Sequence, residues 1–378
     1  MISPAAAGPG PGPGPGPADA RAAGTGADAR PFLSACRRGP VAHVPVWFMR
    51  QAGRSLPEYR EARGGGSILE AIRHPDLVAE LTLQPVRRYG VDAAILFSDI
   101  VVPAAAVGFG VDVAPGIGPV IRDPLRTAAD LDRLRPFEPG IDAPFVADAV
   151  RILADELDVP LIGFAGGPFT VASYLVEGGP SRHYARVKAL MHGEPALWQR
   201  LMDRLTSHAV ASVRAQLDAG ADAVQIFDSW AGILSPADYR SFVQPATSRV
   251  LEGVRASHPE VPTILFGVGT GELLADMAGT GADVIGVDWR VPLGAARARV
   301  GERPALQGNL DPALCLAPWG VVAQATRDVL AEAGDAPGHV FNLGHGVLPE
   351  TDPGVLTAVV ELVHAEGRAG VVPAGTAR

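Results

Sequence analysis

The chain has 378 residues, 47% of them hydrophobic, and carries a formal net charge of −9. This length allows a large core without disulfides or a structural metal, and the negative charge argues against a general nucleic-acid-binding protein, which would present a basic face. The two cysteines, Cys36 and Cys315, are far apart and share no CxxC spacing. We therefore expect no disulfide framework and a cytoplasmic location.

Both ends of the chain have low sequence complexity. Residues 1–30 include a strict alternation of proline and glycine, which lacks the three-residue repeat of collagen and cannot bury apolar surface. Residues 367–378 are similar in character. We predict disordered tails at 1–30 and 367–378 around one folded domain at 31–366. We expect no membrane span, because glycine, proline and aspartate interrupt the longest apolar stretch.

The interior repeats one pattern eight times: a short apolar run, then polar or glycine residues, then a stretch that can form a helix. The runs, each as long as a buried strand, cover residues 44–48, 93–97, 160–164, 223–227, 263–267, 283–287, 305–308 and 339–343. The clearest helices are predicted at 145–157 and 195–217. Strands that alternate with helices pair in parallel, so eight such units predict an α/β fold, a single (β/α)8 TIM barrel.

Three of the predicted strands begin with the same Gly-x-Asp sequence. The residues are Gly90 with Asp92, Gly220 with Asp222, and Gly281 with Asp283. Glycine can end the preceding helix in the left-handed conformation, and aspartate suits the turn before a strand. These positions lie at the N-terminal face of a barrel, so we expect them to be structural.

The competing architecture is an open, doubly wound sheet. That fold would place a glycine-rich, phosphate-binding turn after its first strand. The first predicted strand is followed by Met49-Arg-Gln-Ala-Gly-Arg54, which lacks the GxGxxG pattern. The sequence therefore favours the barrel.

A barrel places its active site at the C-terminal ends of its strands. Polar and aromatic side chains that could take part in catalysis or binding follow the predicted strands: Arg50, Gln51, Arg54, Ser98, Asp99, Thr170, Tyr174, Asp228, Ser229, Trp230, Asp288, Trp289, Gln307, Asn309, Asp311 and His345. The only lysine, Lys188, lies in a predicted helix, which argues against Schiff-base chemistry. The sequence contains no HExxH, no histidine pair with ligand spacing and no GxSxG. We predict no metal and no cofactor, and expect proton transfer and charge stabilisation on an anionic substrate.

Each candidate residue also has a simpler interpretation. Arg50 and Arg54 suggest a carboxylate-binding site, but a surface pair or internal salt bridges would give the same spacing. Asp99 suits either catalysis or a helix cap, and Tyr174 and Ser229 are compatible with ordinary core or capping hydroxyls. The glycines beside His345 would allow a ligand to approach closely. The glycine-rich segment 267–271 is more consistent with a tight turn than with a phosphate site.

Two long motifs resemble those of a known family. They are Pro45-Val-Trp-Phe-Met-Arg-Gln-Ala-Gly-Arg54 and Gly163-Phe-Ala-Gly-Gly-Pro-Phe-Thr-Val171, which are similar to the two signatures of the uroporphyrinogen decarboxylases. Shorter matches occur in the family's order at 82–85, 97–99, 225–229, 307–311 and 342–346. One departure is Ser55, where many members have an aromatic residue.

The resemblance implies a fold, an activity and a set of site residues. It implies a single, commonly dimeric (β/α)8 barrel that converts uroporphyrinogen III, or the I isomer, to coproporphyrinogen and four CO2 without a cofactor. The substrate-binding residues it implies are Arg50, Gln51, Ala52, Gly53, Arg54, Asp99, Tyr174, Ser229 and His345. Asp99 would face the pyrrole nitrogens, and Asp99, Arg50 and Arg54 would be catalytic.

Two alternatives stay open at this point. The same barrel superfamily includes cobalamin-dependent methyltransferases, which bind zinc through a His-x-Cys pair and a distant cysteine. Neither Cys36 nor Cys315 stands two residues after a histidine. A non-catalytic porphyrin-binding protein is the other alternative, and it would be expected to lack Asp99 or the arginines.

Overall fold

The computed structural model describes residues 30–114 and 117–367. The predicted disordered tails therefore lie outside the described residues, except for Arg30 and Gly367 at their inner ends. The strands are β1 (Ala94–Ile95), β2 (Val111–Ala114), β3 (Gly118–Ile121), β4 (Leu161–Gly166), β5 (Ala223–Phe227), β6 (Thr263–Phe266), β7 (Val284–Gly286), β8 (Ala305–Gln307) and β9 (His339–Val340). Seven of them form one parallel sheet in the order β1-β4-β5-β6-β7-β8-β9.

The segment around Val46 closes this sheet into a barrel. On one side Val46 pairs in parallel with Phe341, where the Phe341 N–H donates to Pro45 O at 2.8 Å. On the other side the Asp92 N–H donates to Val46 O at 2.8 Å. The predicted strand at 44–48 thus occupies the eighth position, although its pairing amounts to an isolated bridge. The prediction of a (β/α)8 barrel is confirmed.

Helices follow the strands and cover the outside of the barrel. They are α1 (Pro31–Cys36), α2 (Pro57–Arg63), α3 (Ile68–Ala71), α4 (Pro75–Tyr89), α5 (Val102–Ala106), α6 (Ala128–Asp132), α7 (Pro139–Asp142), α8 (Pro144–Glu156), α9 (Pro168–Glu177), α10 (Ala185–Gly193), α11 (Pro195–Asp218), α12 (Pro236–Asp238), α13 (Gln244–Ser257), α14 (Leu274–Gly279), α15 (Leu293–Val300), α16 (Trp319–Ala333) and α17 (Pro353–Glu366). Single turns of other helical types occur at Ala231–Ile233, Tyr239–Val243, Gly271–Leu273 and Pro312–Leu316. Proline opens many of these helices, because its fixed φ suits the first turn and that turn needs no N–H from it.

The two helices predicted most clearly are present with nearly the expected bounds. They are α8 and α11, each displaced from its prediction by no more than one residue at either end. Leu197, Leu201, Leu205, Ala209 and Val213 recur every four residues along α11 and are all buried. This spacing places them on one helix face, which packs against β4 and α13. Among the helices of the described residues, none is long and apolar enough to cross a membrane.

An antiparallel hairpin, which the eight-unit pattern does not predict, lies between β1 and β4 in the chain. Strands β2 and β3 pair from Val111 opposite Ile121 to Ala114 opposite Gly118. The sequence contained a signal, because a Pro-Gly dipeptide separates two short runs rich in valine. The hairpin lies beside the barrel mouth and contributes to the site described below.

The three Gly-x-Asp sequences are structural, as predicted. Their glycines have positive φ values of 68°, 119° and 93°, and each aspartate accepts a hydrogen bond from the backbone at the start of the preceding barrel strand. The bonds join Asp92 to Val46 N at 2.7 Å, Asp222 to Leu161 N at 2.9 Å and Asp283 to Thr263 N at 2.9 Å. These carboxylates therefore fasten neighbouring strands at the N-terminal face.

Replacing one of these aspartates tests that role. Asp283 also accepts a hydrogen bond from Thr263 Oγ1 at 2.7 Å, so Asp283→Ala leaves the backbone N–H and the hydroxyl proton of a buried threonine without an acceptor. We expect the free energy of unfolding to fall by about 3 kcal/mol in denaturant titration. Asp335→Ala, at an exposed loop aspartate, is the control. A loss below about 0.5 kcal/mol, the usual range for surface changes, would contradict the role.

Candidate active site

A cavity of about 390 Å³ opens at the C-terminal ends of the strands. Its size falls within the usual range for small-molecule sites. Of the nine residues predicted to bind substrate, the cavity wall contains eight: Arg50, Ala52, Gly53, Arg54, Asp99, Tyr174, Ser229 and His345. They come from segments after the first, second, third, fourth and last barrel positions, so folding brings together residues that are distant in sequence.

Gln51 is the predicted residue that the structure does not bring to the cavity. Its side chain is fully buried. Its Oε1 accepts a hydrogen bond from Phe48 N at 3.1 Å, and its Nε2 donates to Ala93 O at 3.2 Å. The amide thus satisfies backbone groups within the barrel wall and joins the first segment to the next strand. This geometry gives Gln51 a supporting role in place of the expected substrate contact.

The two arginines of the cavity have no ion-pair or hydrogen-bond partner for their guanidinium groups among residues 30–114 and 117–367. Both residues are exposed. Arg50 has a φ of 58°, an uncommon value for a residue with a side chain. The stem of Arg50 lies against Gly346, where an added Cβ would come within 3.1 Å of the Arg50 Cβ. Gly346 therefore makes room for Arg50, whereas we had expected it to make room for a ligand.

Asp99 combines a fixed carboxylate oxygen with an available one. Its Oδ1 accepts a hydrogen bond from Val101 N at 3.0 Å, just before α5. Its Oδ2 has no hydrogen-bond partner in the part of the chain that the structure describes. Burial raises the pKa of Asp99, and the Val101 N–H and the charge of Arg50 only partly oppose this. Asp99 does not cap α5, whose N-cap is Val101; its Oδ1 closes the turn before the helix, and its Oδ2 remains free for a ligand.

Three neutral polar groups complete this side of the cavity. Burial lowers the pKa of His345 to about 4, and the charges of Arg50 and Arg290 act in the same direction, so the imidazole is neutral at pH 7. Burial and the nearby Asp99 charge raise the pKa of Tyr174, which therefore keeps its proton. Ser229 is half-buried beside them. These groups can exchange hydrogen bonds with an anionic ligand without adding charge.

The remaining wall of the cavity is mostly apolar. Phe164 and Phe227 contact each other edge to face, with ring centroids 5.4 Å apart. Val113 and Pro119 of the hairpin also line the cavity. Neither was predicted, because the hairpin itself was missed. The cavity therefore suits a ligand with a broad apolar body and acidic substituents that reach the arginines.

Asp228, which follows β5, is a buried aspartate behind the cavity wall. The sequence predicts its position at a strand end but not its role. Asp228 Oδ1 accepts hydrogen bonds from Thr170 N at 3.1 Å and from Thr170 Oγ1 at 2.7 Å. Thr170 Oγ1 in turn accepts one from Trp230 N at 3.1 Å, and Trp230 packs against Tyr174. Asp228 thus positions Thr170 and, through it, Trp230 and Tyr174. This role cannot be inferred from the sequence, because the residues become neighbours only in the folded chain.

Two nearby segments support the wall from outside the cavity. The loop at 267–271 is a tight turn, as expected, in which Gly269 has a φ of 69° and its N–H donates to the carboxylate of Asp288. Lys188 in α10 donates through Nζ to Ile233 O at 2.7 Å. Ile233 belongs to the helical turn that follows Trp230. Neither the loop nor Lys188 is part of the cavity wall.

Comparison with known proteins identifies the family. The family model described as uroporphyrinogen decarboxylase (URO-D) matches residues 28–366. The chain belongs to the uroporphyrinogen decarboxylase family. Members of this family are carboxy-lyases, and the resemblance found in the sequence motifs is confirmed.

Similar proteins agree with this assignment. The uroporphyrinogen decarboxylase of Salinispora tropica is 62% identical over 335 residues, which cover 88% of this chain and 90% of the relative. That of Thermobifida fusca is 60% identical over 336 residues, covering 89% and 92%. Among solved structures, a methyltransferase from Methanosarcina mazei aligns with a TM-score of 0.72 and 24% identity over 88% of this chain and 96% of its own. At that identity the likeness concerns the barrel fold alone.

The methyltransferase alternative is not favoured for this member of the decarboxylase family. A zinc site of the methyltransferase kind needs two cysteines at the barrel mouth. Cys36 and Cys315 are both buried free thiols, and neither lines the cavity. Burial raises the pKa of both thiols, which disfavours the thiolate form that binds metals.

The pKa of Asp228 leads to a pH-dependent prediction. Burial raises this pKa to about 6, so the folded protein favours the protonated form of Asp228. The stability that this residue contributes is therefore present below about pH 4 and is lost as pH rises through 6. The free energy of unfolding should lose roughly 2–3 kcal/mol at this site between pH 4 and pH 8. Asp228→Asn stays neutral and should not show this loss. We expect denaturant titrations of the two proteins to diverge with rising pH.

Asp335→Asn, at an exposed loop position, is the matched control and should follow the wild type at every pH. Parallel pH profiles for the wild type and Asp228→Asn would show that the Asp228 carboxyl is not held near a pKa of 6.

Proposed function

We propose that the chain converts uroporphyrinogen III to coproporphyrinogen III in heme biosynthesis, releasing four CO2. One observation carries this proposal: two arginines, which have no ion-pair partner among the described residues, line a largely apolar cavity together with the half-buried Asp99. A tetrapyrrole with eight carboxylate arms has matching chemistry, with an apolar ring system and acidic substituents. Relatives about 60% identical over most of their length carry the name of this activity.

Arg50 and Arg54 bind the carboxylate arms in this proposal. Guanidinium groups bind carboxylates with two parallel hydrogen bonds and keep their charge at any working pH. The net charge of −9 repels a polyanion at long range, so the attraction must come from this local pair. Ala52 and Gly53, which lie between the arginines and line the cavity, leave space for the ring to approach.

The pyrrole ring serves as the electron acceptor for each decarboxylation. Protonation of a ring carbon next to the acetate-bearing carbon creates an iminium-like cation. The bond to the carboxylate then breaks, CO2 leaves, and the released electron pair forms an exocyclic double bond. A proton added to the methylene carbon completes the methyl group, and the ring loses its extra proton. Each cycle consumes one proton, and no cofactor is needed to accept electrons.

Asp99 stabilises the cationic ring. A carboxylate buried without a full counter-charge is unfavourable, which is the condition that its raised pKa reflects. A positive ring placed against Oδ2 supplies the missing charge only as the reaction proceeds, and such differential stabilisation lowers the barrier. Tyr174, Ser229 and the neutral His345 hydrogen-bond to the arms and orient them.

The activity can be tested directly. The purified chain is incubated with uroporphyrinogen III without oxygen, and the oxidised products are separated by chromatography. We expect porphyrins with seven, six, five and four carboxyl groups, ending in coproporphyrin III. Recovery of the substrate alone would overturn the proposal.

Asp99→Asn tests the charge at the centre of the mechanism. Asparagine keeps an acceptor for Val101 N–H but cannot stabilise a cationic ring. We expect kcat to fall about 100-fold or more, the scale for losing a key electrostatic group. The thermal unfolding midpoint should stay close to that of the wild type. Near-normal turnover in Asp99→Asn would remove this residue from the mechanism.

Arg50→Gln and Arg54→Gln test substrate binding. Each change removes a charged contact to a carboxylate arm, so we expect KM to rise about tenfold. We also expect KM to depend less on salt concentration than in the wild type. Arg151→Gln, which breaks an exposed pair with Asp148 in α8, is the control. Equal salt dependence in all four proteins would indicate that the two cavity arginines do not bind the substrate.

We also propose a homodimer, a cytoplasmic location and a folded domain at 31–366. The family match at 28–366 supports the domain bounds. Sedimentation equilibrium tests the dimer, and a single monomeric species at micromolar concentration would contradict it.

A further inference from the structure

The N-terminal face of the barrel holds a second group of polar side chains. His43 precedes the first barrel segment, Asp92 precedes β1, and His364 belongs to α17. Their potential ligand atoms all lie within 4.8 Å of one another. Nothing in the proposed reaction uses them, because the catalytic residues stand at the opposite end of the barrel.

The geometry of this group centres on one carboxylate. His43 Nε2 lies 2.7 Å from Asp92 Oδ1, and His364 Nε2 lies 2.8 Å from Asp92 Oδ2. The two imidazole rings contact each other with centroids 4.2 Å apart. The side chains of His43 and His364 are 28% and 30% exposed, whereas that of Asp92 is 9% exposed. Solvent and ions therefore reach the histidines at one side of a mostly buried carboxylate.

Comparison with the other two strand-start aspartates shows what is special here. Asp222 and Asp283 form the same backbone hydrogen bond as Asp92. Asp222 is then paired with Arg30 at 2.9 Å, and Asp283 with the hydroxyl of Thr263. One cation or one hydroxyl is therefore enough to hold such an aspartate. Asp92 has two imidazole partners, which is one more than an aspartate needs in order to hold the start of a strand.

We propose that His43, Asp92 and His364 form a site for a divalent transition metal, with zinc as the ion bound. Two imidazole nitrogens and a carboxylate oxygen are a ligand set that zinc accepts, with water completing the tetrahedron. Zinc–ligand bonds of about 2.0–2.2 Å need ligand atoms roughly 3.3 Å apart. The present distances are 2.7 and 2.8 Å, so small side-chain rotations open the site.

Metal binding requires a rearrangement of protons but no other reactant. Each Nε2 must present its lone pair to the metal, so the ring proton resides on Nδ1. A neutral ring achieves this by changing tautomer, and a protonated ring releases one proton. The carboxylate of Asp92 exchanges its hydrogen bonds from the imidazoles for a bond to the metal. The Val46 N–H continues to donate to Oδ2 of that carboxylate.

The site would fasten the first and last segments of the folded chain together at the N-terminal face. His43 and His364 are 321 residues apart in sequence (364 − 43), and Asp92 bonds the Val46 segment that closes the sheet. A ligand that binds only the folded state raises stability by mass action. Asp92 and Asp99 are separated by seven residues (99 − 92), a distance of roughly 20 Å along extended chain. We therefore expect the metal to affect stability and not turnover.

Equilibrium dialysis of the full chain against zinc, after treatment with a chelator, tests the proposal. We expect one equivalent of zinc to bind, and the thermal unfolding midpoint to rise by about 3 °C or more at saturating zinc. His43→Gln and His364→Gln should each weaken binding by at least about tenfold. His258→Gln is the matched control, because His258 pairs with Asp218 at 3.2 Å and has no second histidine there. It should bind zinc as the wild type does.

Cobalt(II) provides a second readout in the unaltered chain. Nitrogen and oxygen ligands give visible d–d bands without the strong near-ultraviolet absorption of a thiolate complex. Thiolate absorption would locate the metal at Cys36 or Cys315 and overturn the proposal, as would stoichiometric binding that persists in both histidine variants. Failure of the wild type to bind zinc at micromolar concentration would also overturn it. Decarboxylation measured with and without zinc should be equal, so these outcomes are independent of the proposed function.

Discussion

The site depends on hydrogen bonds that close the barrel around Val46. This segment bonds to Phe341 on one side and to Asp92 on the other. Closure places Arg50, a few residues further on, beside the last loop, where Val347 N donates to Met49 O at 2.9 Å. Met49 N also donates to Asn342 Oδ1 at 3.1 Å. An open sheet would leave the first and last segments at opposite edges, and the arginines could not share a cavity with His345.

The cavity is organised around charges that the protein leaves partly unsatisfied. Arg50 and Arg54 lack partners of opposite charge among the described residues, while burial disfavours the charged form of Asp99. Such an arrangement lowers the stability of the unliganded protein, and functional sites are where folded proteins tolerate such costs. Two buried residues beside the site, Gln51 and Thr170, are by contrast hydrogen-bonded to groups around them. These hydrogen-bonded residues thus hold in place the segments that carry the arginines and the other cavity residues.

The sequence was sufficient for the fold and for most of the candidate site. Hydrophobic periodicity located all eight barrel segments, and the rule that barrel sites lie at strand C-termini identified most of the polar residues of the cavity. Two kinds of feature could not be predicted from the sequence. The orientation of Gln51 depends on which backbone groups lie unsatisfied around it, and spacing does not carry that information. The pairing of His43 with His364 arises only when the barrel closes, because no local motif links residues so far apart. The hairpin was a different matter, since its turn signal was present and was overlooked.

The hydrogen bond from Lys188 to Ile233 has a practical consequence for chemical labelling. Because Lys188 is the only lysine in the chain, an amine-reactive dye or cross-linker meets a single side-chain target. That amine is half-buried and is engaged with the turn next to Trp230. Acylation would remove its charge and release that turn from α10. Surface immobilisation through the Lys188 amine would therefore report on a protein altered beside its cavity, and coupling through carboxylates of the outer helices is the sounder choice.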